Sequence, residues 1–235
     1  MAKRNTLFKD LALIDYKECW DLQEKLFKDI VDIKIYNRTS TDSEQKLTPN
    51  YLFFCEHPSV FTMGKGGSEE NLLVSMPELN KLNVNYYKIN RGGDITYHGP
   101  GQIVVYPILD LENFYLDIKT YIHNLEESII LTLNNFNIKA ERLNGATGVW
   151  LETDVPSKTR KICAIGVKAS RHVSMHGLAF NINTDLKYFK MINPCGFTNK
   201  AVTSLKEELG KEIPIEEVKI ILKDTFSEVF GFEWI

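Results

Sequence analysis

Apolar residues recur with helical spacing in three stretches of the chain. In 15–32 and 116–136 an apolar side chain returns every three or four positions, which is typical of a helix with one buried face. Ile215–Phe230 has the same spacing, and Glu216 and Glu217 suit the positive N-terminal end of a helix dipole. The spacing therefore predicts three helices, each packing one face against a core.

Short apolar runs between these helices predict strands. The runs are 51–55, 84–89, 102–109, 148–151, 162–167 and 177–182. Polar residues predict a loop at 37–50 and a hairpin loop at 154–161. The order helix, strands, helix, strands, helix predicts an α+β fold, a two-layer arrangement of helices on a mostly antiparallel or mixed sheet. We expect one domain over 1–235.

Residues 91–102 form an unusual glycine-rich segment. Four glycines, His98 and Pro100 fall within twelve positions, which excludes a stable helix and argues against an ordinary strand pair. Glycine permits positive φ and lets the backbone approach a ligand closely. The segment predicts a backbone-lined pocket wall. A plain tight turn is the alternative, since Gly-Gly and Pro-Gly are common turn dipeptides.

The composition limits the class of protein. With 43% hydrophobic and 25% charged residues the chain matches an ordinary globular protein. A net charge of −3 and a pI near 6.0 argue against nucleic acid as a partner. The sequence contains no run of eighteen apolar residues, so it predicts no membrane span. Charged residues near the start interrupt what would have to be the apolar core of a signal peptide. We expect a cytoplasmic protein without a membrane partner.

One stretch is locally basic. Between Pro156 and His172 there are five basic residues and no acid. A solvated basic face is the simpler interpretation. A docking site for an acidic partner is the functional alternative.

The four cysteines are scattered without a CxxC pair, which predicts free thiols in a reducing compartment. Cys195 lies between a proline and a glycine, so a turn is expected to present its thiol, and it is the best nucleophile candidate. Cys55 and Cys163 lie in apolar runs, where cysteine behaves as a small hydrophobe.

A thiol becomes reactive when a nearby cation stabilises its thiolate. Lys161, Lys168, His98 and His176 are the candidate partners of Cys195, and spacing alone does not choose among them.

Neither a metal nor ATP is predicted. His172 and His176 have the i,i+4 spacing of helical ligands, but a strand-like run follows them. Residues 64–68 lack the upstream glycine and spacing of a phosphate-binding loop. We expect no cofactor.

Four motifs carry a resemblance to a known family. Residues 91–102, 161–166, 176–181 and 193–196 resemble, in order and separation, the LipB family of octanoyltransferases in lipoate biosynthesis. The resemblance covers about residues 50–210. It implies a catalytic domain of the biotin/lipoate protein ligase type that works as a monomer without ATP or metal. It also implies an octanoyl-acyl carrier protein donor, which is strongly acidic, and lipoyl domains of 2-oxoacid dehydrogenase E2 subunits and the glycine cleavage H protein as acceptors.

The resemblance also implies roles for individual residues. Cys195 would carry the acyl group, and Lys161 would activate it. The substrate-binding residues would be Arg91, Gly92, Gly93, Asp94, Ile95, Thr96, Tyr97, His98, Ala164, Ile165, Gly166, Gly177, Leu178 and Ala179. The loop 151–161 is longer than in compact family members.

This chemistry agrees with the residues. A thioester donor needs a thiol nucleophile and no ATP, because transfer from thioester to amide is downhill. Backbone N–H groups near Gly166 or Gly177 would stabilise oxyanions. A tunnel would bury the octanoyl tail, and each buried methylene would contribute about 0.8 kcal/mol to binding. An ATP-dependent lipoate or biotin ligase of the same fold, and a non-catalytic binding module, are the alternatives; the segment Asn193–Gly196 argues against both.

Overall fold

The computed structural model describes residues 4–193 and 200–235. Cys195, the predicted nucleophile, therefore lies outside the described residues. Among the helices of the described part, none has both the length and the apolar character needed to cross a membrane.

The helices and strands follow one another in a mixed order along the chain. They are β1 Asn5–Leu13, α1 Tyr16–Asn37, β2 Asn50–Glu56, β3 Val60–Met63, α2 Met76–Lys81, β4 Asn85–Lys88, β5 Ile95–His98, β6 Gln102–Ile108, α3 Ile118–Asn134, β7 Glu141–Leu143, β8 Ala146–Leu151, β9 Arg160–Ser170, β10 Val173–Asn181, β11 Ala201–Val202, α4 Leu205–Leu209, α5 Ile215–Phe230 and β12 Glu233–Trp234.

Two sheets form the framework. The larger has the strand order β12-β1-β2-β6-β10-β9-β8-β7, with β11 pairing the start of β9. Its pairings are antiparallel except β1 with β2 and β12, and β9 with β11. The smaller sheet has the order β4-β3-β5. The predicted α+β class with a mixed sheet is confirmed.

Side-chain alternation along the central strands divides the core into two halves. In β2, Leu52 and Phe54 pack with α3 and α5 on one face of the sheet. Phe53 and Cys55 pack with α1 on the opposite face, as a strand's period of two requires. Helix α1 thus adds a layer that the two-layer expectation did not contain.

The glycine-rich segment is not a plain loop. Ile95–His98 forms β5, which pairs antiparallel with β3, so the argument against strand pairing in this segment was wrong for these four residues. The glycines lie outside these four residues, and the remaining Ile-Thr-Tyr-His run is rich in the β-branched and aromatic residues that favour strands.

Candidate active site

A cavity of about 310 Å³ lies between the small sheet and strands β6, β9 and β10. This volume is in the range of small-molecule sites. Most of the residues predicted to bind substrate line it. They are Arg91, Gly93, Asp94, Ile95, Thr96, His98, Ala164, Ile165, Gly166, Gly177, Leu178 and Ala179, and Lys161 lines it too.

Gly92 and Tyr97 do not line the cavity. The N–H of Gly92 donates to the carbonyl of Val167 at 2.8 Å, which attaches the glycine-rich segment to β9. The ring of Tyr97 stacks on Tyr188 with 4.6 Å between centroids, and its hydroxyl pairs with that of Ser59. Both residues therefore hold the wall in place from outside.

The paired glycines of β9 and β10 allow close backbone contacts. Gly166 and Gly177 lie opposite each other in the strand register. A Cβ on Gly177 would lie 2.0 Å from the carbonyl oxygen of Val105, and one on Gly166 would lie 2.9 Å from that of Gly92. Three backbones meet here because neither position has a side chain.

A buried positive charge lies next to the cavity. Arg91 donates through Nη2 to the carbonyl of Thr62 at 2.7 Å and to its hydroxyl at 3.0 Å. A buried guanidinium needs such acceptors to offset its lost hydration. Its charge helps to lower the pKa values of the neighbouring His98 and His176.

His98 is fixed in one tautomer. The amide nitrogen of Gln102 donates to Asn181 and to the Tyr97 carbonyl, so its oxygen is the acceptor at 2.9 Å from His98 Nδ1. The ring therefore carries its proton on Nδ1. Burial lowers the pKa of His98 to about 3, and the imidazole is neutral at physiological pH.

His176 combines burial with backbone strain. It has a φ of 61° within β10, a conformation that costs a non-glycine residue about 1–3 kcal/mol. Its Nε2 lies 2.8 Å from the amide oxygen of Asn90, whose nitrogen donates to Glu24. Burial lowers the pKa of His176 to about 3, so this imidazole is neutral too.

The geometry narrows the candidates for the cation that would stabilise the thiolate of Cys195. The two histidines supply no positive charge at neutral pH. Lys168 lies against α1, with its Nζ 3.6 Å from a carboxylate oxygen of Glu24 and 4.6 Å from the Phe27 ring centre, and it does not line the cavity. Lys161 does line it.

Lys161 is held by strand β8. Its Nζ donates to the carbonyl of Thr147 at 3.1 Å and lies 4.5 Å from the ring centre of Trp150. Gly148 makes room, because a Cβ there would lie 3.3 Å from Cε of Lys161. A cation over an indole face is a favourable arrangement.

Comparison with known proteins agrees with this geometry. Residues 15–227 match the family model described as the lipoyl protein ligase A/B catalytic domain. The octanoyltransferase of Christiangramia forsetii is 57% identical over 226 residues, covering 96% of this chain and 95% of the relative. That of Cytophaga hutchinsonii is 52% identical over 229 residues, covering 97% and 94%.

The chain belongs to the octanoyltransferase family of lipoate biosynthesis.

Solved structures show the same fold. A bipartite lipoate protein ligase from Thermoplasma acidophilum superposes with a TM-score of 0.68 at 16% identity, covering all of this chain and 86% of that one. Lipoate-protein ligase A bound with ATP gives 0.66 at 15% identity, covering 100% and 88%. At such identities the likeness establishes the fold alone, and the sequence relatives favour transfer over ATP-dependent ligation.

The sequence did not point to several residues of the octanoyltransferase cavity. Tyr16, Tyr106, Trp150 and Lys200 line it. Tyr16 opens α1, about eighty residues before the His98 ring on which it stacks, so no local pattern signals it. For Trp150 a signal existed, since pairing the two strands of the predicted hairpin places Trp150 opposite Lys161.

The basic run is not one surface. Arg160 donates to Glu208 at 2.6 Å and also pairs with Glu152, while Arg171 lies beyond the far end of β9. Strand β9 has eleven residues, so Arg160 and Arg171 lie roughly 30 Å apart along it. The basic residues of 156–172 therefore do not form one continuous docking face, because Arg160 is paired within the fold at one end of β9 and Arg171 lies beyond the other end.

One group of possible metal ligands occurs among residues 4–193 and 200–235. Ligand atoms of Cys19, Cys55 and His57 lie within 4.8 Å of one another. Both ring nitrogens of His57 have protein partners: Nδ1 lies 2.8 Å from the carbonyl of Ile14, and Nε2 lies 2.8 Å from the hydroxyl of Tyr106. His172 is exposed beside Glu112 and lies apart from the buried His176.

Proposed function

We propose that this octanoyltransferase, acting as a monomeric single-domain enzyme in the cytoplasm, takes the octanoyl group from octanoyl-acyl carrier protein. The group passes through a thioester on Cys195 to a lysine of a lipoyl domain. The lipoyl domains of 2-oxoacid dehydrogenase E2 subunits and the glycine cleavage H protein are the proposed acceptors. The observation that carries the proposal is the ammonium of Lys161, fixed in the wall of a largely apolar cavity.

The other thiols are poor nucleophile candidates. Cys19, Cys55 and Cys163 are all buried, and none lines the cavity. Burial raises the pKa of Cys55 and of Cys163, which keeps both thiols protonated at neutral pH. Cys195 is the remaining candidate.

The residues that flank Cys195 in sequence support its assignment. The N–H of Asn193 donates to the carbonyl of Asn71 at 2.8 Å. The side chain of Asn71 donates to Asp94, a residue of the cavity wall, at 2.6 Å. After the segment that contains Cys195, the described chain resumes at Lys200, which also lines the cavity.

Covalent catalysis divides the transfer into two balanced steps. The thiolate of Cys195, stabilised by the ammonium of Lys161, attacks the thioester carbonyl, and the departing carrier thiolate takes a proton from Lys161. Neutral Lys161 then accepts a proton from the attacking lysine amine and returns it to the Cys195 thiolate as the amide forms. Neither step consumes ATP, and we propose that no metal takes part.

The proposed binding mode follows from the lining. Val104, Ile165 and Leu178 are among the apolar residues that line the cavity, and this lining would hold the octanoyl chain. Each buried methylene contributes about 0.8 kcal/mol, so chain length would be selected by how far the tail fills the cavity.

Intact-mass spectrometry tests this function directly. Incubation with octanoyl-acyl carrier protein and no ATP should add one octanoyl group, and addition of a lipoyl domain should remove it. Cys195→Ala should show no adduct, whereas Cys55→Ala and Cys163→Ala should keep it. An adduct that persists in Cys195→Ala, or that needs free octanoate and ATP, contradicts the proposal.

A further inference from the structure

Two lysines share one aromatic surface at the cavity. The Nζ of Lys161 lies 4.5 Å from the ring centre of Trp150, and that of Lys200 lies 5.3 Å from it. Trp150 is buried, and its Nε1–H donates to the carbonyl of Ala146 at 2.9 Å. The ring is therefore a fixed platform, and all three side chains line the cavity.

Strand pairing explains why the three side chains meet. Trp150 lies opposite Lys161 in the β8–β9 register, and Val202 lies opposite Lys161 in the β9–β11 register. Lys200 directly precedes β11, so the pairing of β11 with the start of β9 brings it close to Lys161 and Trp150. The arrangement thus follows from the topology.

We propose that Lys200 is a second cationic residue of the transfer site, which makes Lys161 easier to deprotonate, and that Trp150 positions both ammonium groups. The inference rests on the proposed role of Lys161 and extends it to a residue outside the four family motifs.

The physical reason is repulsion between like charges. The two Nζ atoms are at most about 10 Å apart, because both lie near one ring centre. At such separations and the effective dielectric of a partly solvated site, a second positive charge favours the neutral form of the first by about half to one pH unit. A neutral amine is the form that a general base requires.

Other charged groups near Lys161 come from several neighbouring parts of the chain. Glu126 of α3 accepts the N–H of Gly148 at 3.0 Å and pairs with Arg142 at 3.1 Å. On β9, Arg160 pairs with Glu208 of α4 and with Glu152. The three acids would retain the proton on Lys161, but each is already paired with an arginine. Lys200 is a second cation near the Trp150 ring and is not one of these paired arginines.

The proposal requires Lys200 to act through its charge. Competitive labelling of the full chain with trace acetic anhydride across pH, read by peptide mass, gives the labelling midpoint of Lys161. Lys200→Met should raise this midpoint by about half to one pH unit, and the conservative Lys200→Arg should restore it. Trp150→Phe keeps an aromatic face and should perturb the midpoint less than Trp150→Leu.

Turnover gives the second readout. Transfer from the isolated octanoyl-enzyme to a lipoyl domain should be three- to tenfold slower at pH 7 in Lys200→Met and should approach the unmodified rate at high pH. An unshifted labelling midpoint, or an equal loss of rate at every pH, overturns the proposal. Failure of the unmodified chain to form any octanoyl adduct would instead overturn the proposed function, while the labelling midpoint would still decide the role of Lys200.

Discussion

At the scale of single residues, Gly148 shows how a missing side chain builds the site. Its φ is 124°, and a Cβ there would lie 2.6 Å from the carbonyl oxygen of Cys163 and 3.3 Å from Cε of Lys161. Its N–H also donates to the buried carboxylate of Glu126. The path of Lys161 across the Trp150 ring exists because position 148 is glycine.

Gly148→Ala should therefore damage both the fold and the chemistry. We expect a loss of at least about 2 kcal/mol in the free energy of unfolding, from backbone strain and overpacking. We also expect octanoyl-adduct formation to be at least tenfold slower. Urea denaturation and time-resolved intact mass measure the two effects.

Gly145→Ala is the matched control for this change. Gly145 has a φ of 75°, but a Cβ there meets no heavy atom within 4 Å. The control should lose only the strain energy, about 1 kcal/mol of unfolding free energy, and should form the octanoyl adduct at the unmodified rate. Equal rates in the two variants would show that the space around Lys161 is unimportant.

Lys161 itself has a direct test. If its ammonium stabilises the thiolate of Cys195, Lys161→Ala should move the pH midpoint of Cys195 alkylation upward, towards the free-thiol value of about 8.5. Lys168→Ala is the control, because Lys168 lies against α1 beside Glu24. A profile unchanged in Lys161→Ala but shifted in Lys168→Ala would reverse the assignment.

Local sequence patterns predicted those site residues whose role depends on their neighbours in the chain. The glycine-rich wall was predicted because glycine permits a close backbone approach, whereas Gly166 and Gly177 were expected in the site from the family resemblance. The side-chain direction of Tyr97 was not predicted, since it depends on which face of β5 the small sheet covers.

At the scale of elements, Arg160 links β9 to α4. Its guanidinium donates two bonds of 2.6 Å to the carboxylate of Glu208, which also accepts from Thr203. The hydrogen bond from Arg160 is the largest cause that lowers the pKa of Glu208. This ion pair holds the start of β9 next to β11, which follows Lys200.

Arg160→Ala should destabilise the fold by about 1–3 kcal/mol at pH 7, because a largely buried carboxylate loses its partner. A lowered carboxyl pKa stabilises the fold above its unfolded value of about 4.5, and that contribution is lost as the pH falls. The difference from the unmodified chain should therefore shrink towards pH 4 in urea denaturation.

Arg171→Ala provides the comparison, since Arg171 is exposed in the β9–β10 turn. It should leave stability nearly unchanged. Arg160→Ala should slow transfer from carrier protein and from a small octanoyl thioester to the same degree. A selective loss with the carrier protein would restore Arg160 as a docking residue.

Element prediction succeeded where the pattern was long and periodic. Helix α5 has the bounds that the spacing predicts, and α1 and α3 lie where expected. Strand β1 was missed because Lys9 and Asp10 interrupt its apolar positions. Its partners β2 and β12 lie about 45 and 230 residues away in sequence, so pairing rather than local composition determines it.

At the scale of the whole molecule, three neutral histidines are buried at or beside the cavity: His98 and His176 line it, and His57 lies next to His98. His57 follows β2, His98 ends β5, and His176 lies in β10. The rings of His57 and His98 are 6.0 Å apart, and burial lowers all three pKa values, to about 4, 3 and 3. His98 and His176 lie in the family motifs, whereas His57 lies outside them, and the common burial of the three arises only when the two sheets pack.

This burial predicts an unusual dependence of stability on pH. A histidine whose folded pKa lies below its unfolded value of about 6.5 takes up protons mainly in the unfolded state, so the free energy of unfolding falls as the pH drops below 6.5. Each histidine contributes at most about 1.4 kcal/mol per pH unit, and lowering the pH from 7.5 to 5.5 should cost about 4 kcal/mol in total.

Urea denaturation at the two pH values measures this loss. Carboxylates titrate mainly below this window, which separates their effect from that of the histidines. The imidazole NMR signals of His57, His98 and His176 should stay fixed over the same range. Constant stability between pH 7.5 and 5.5, or three titrating signals, would mean that these rings are open to solvent and that the two sheets do not seal the cavity beside them.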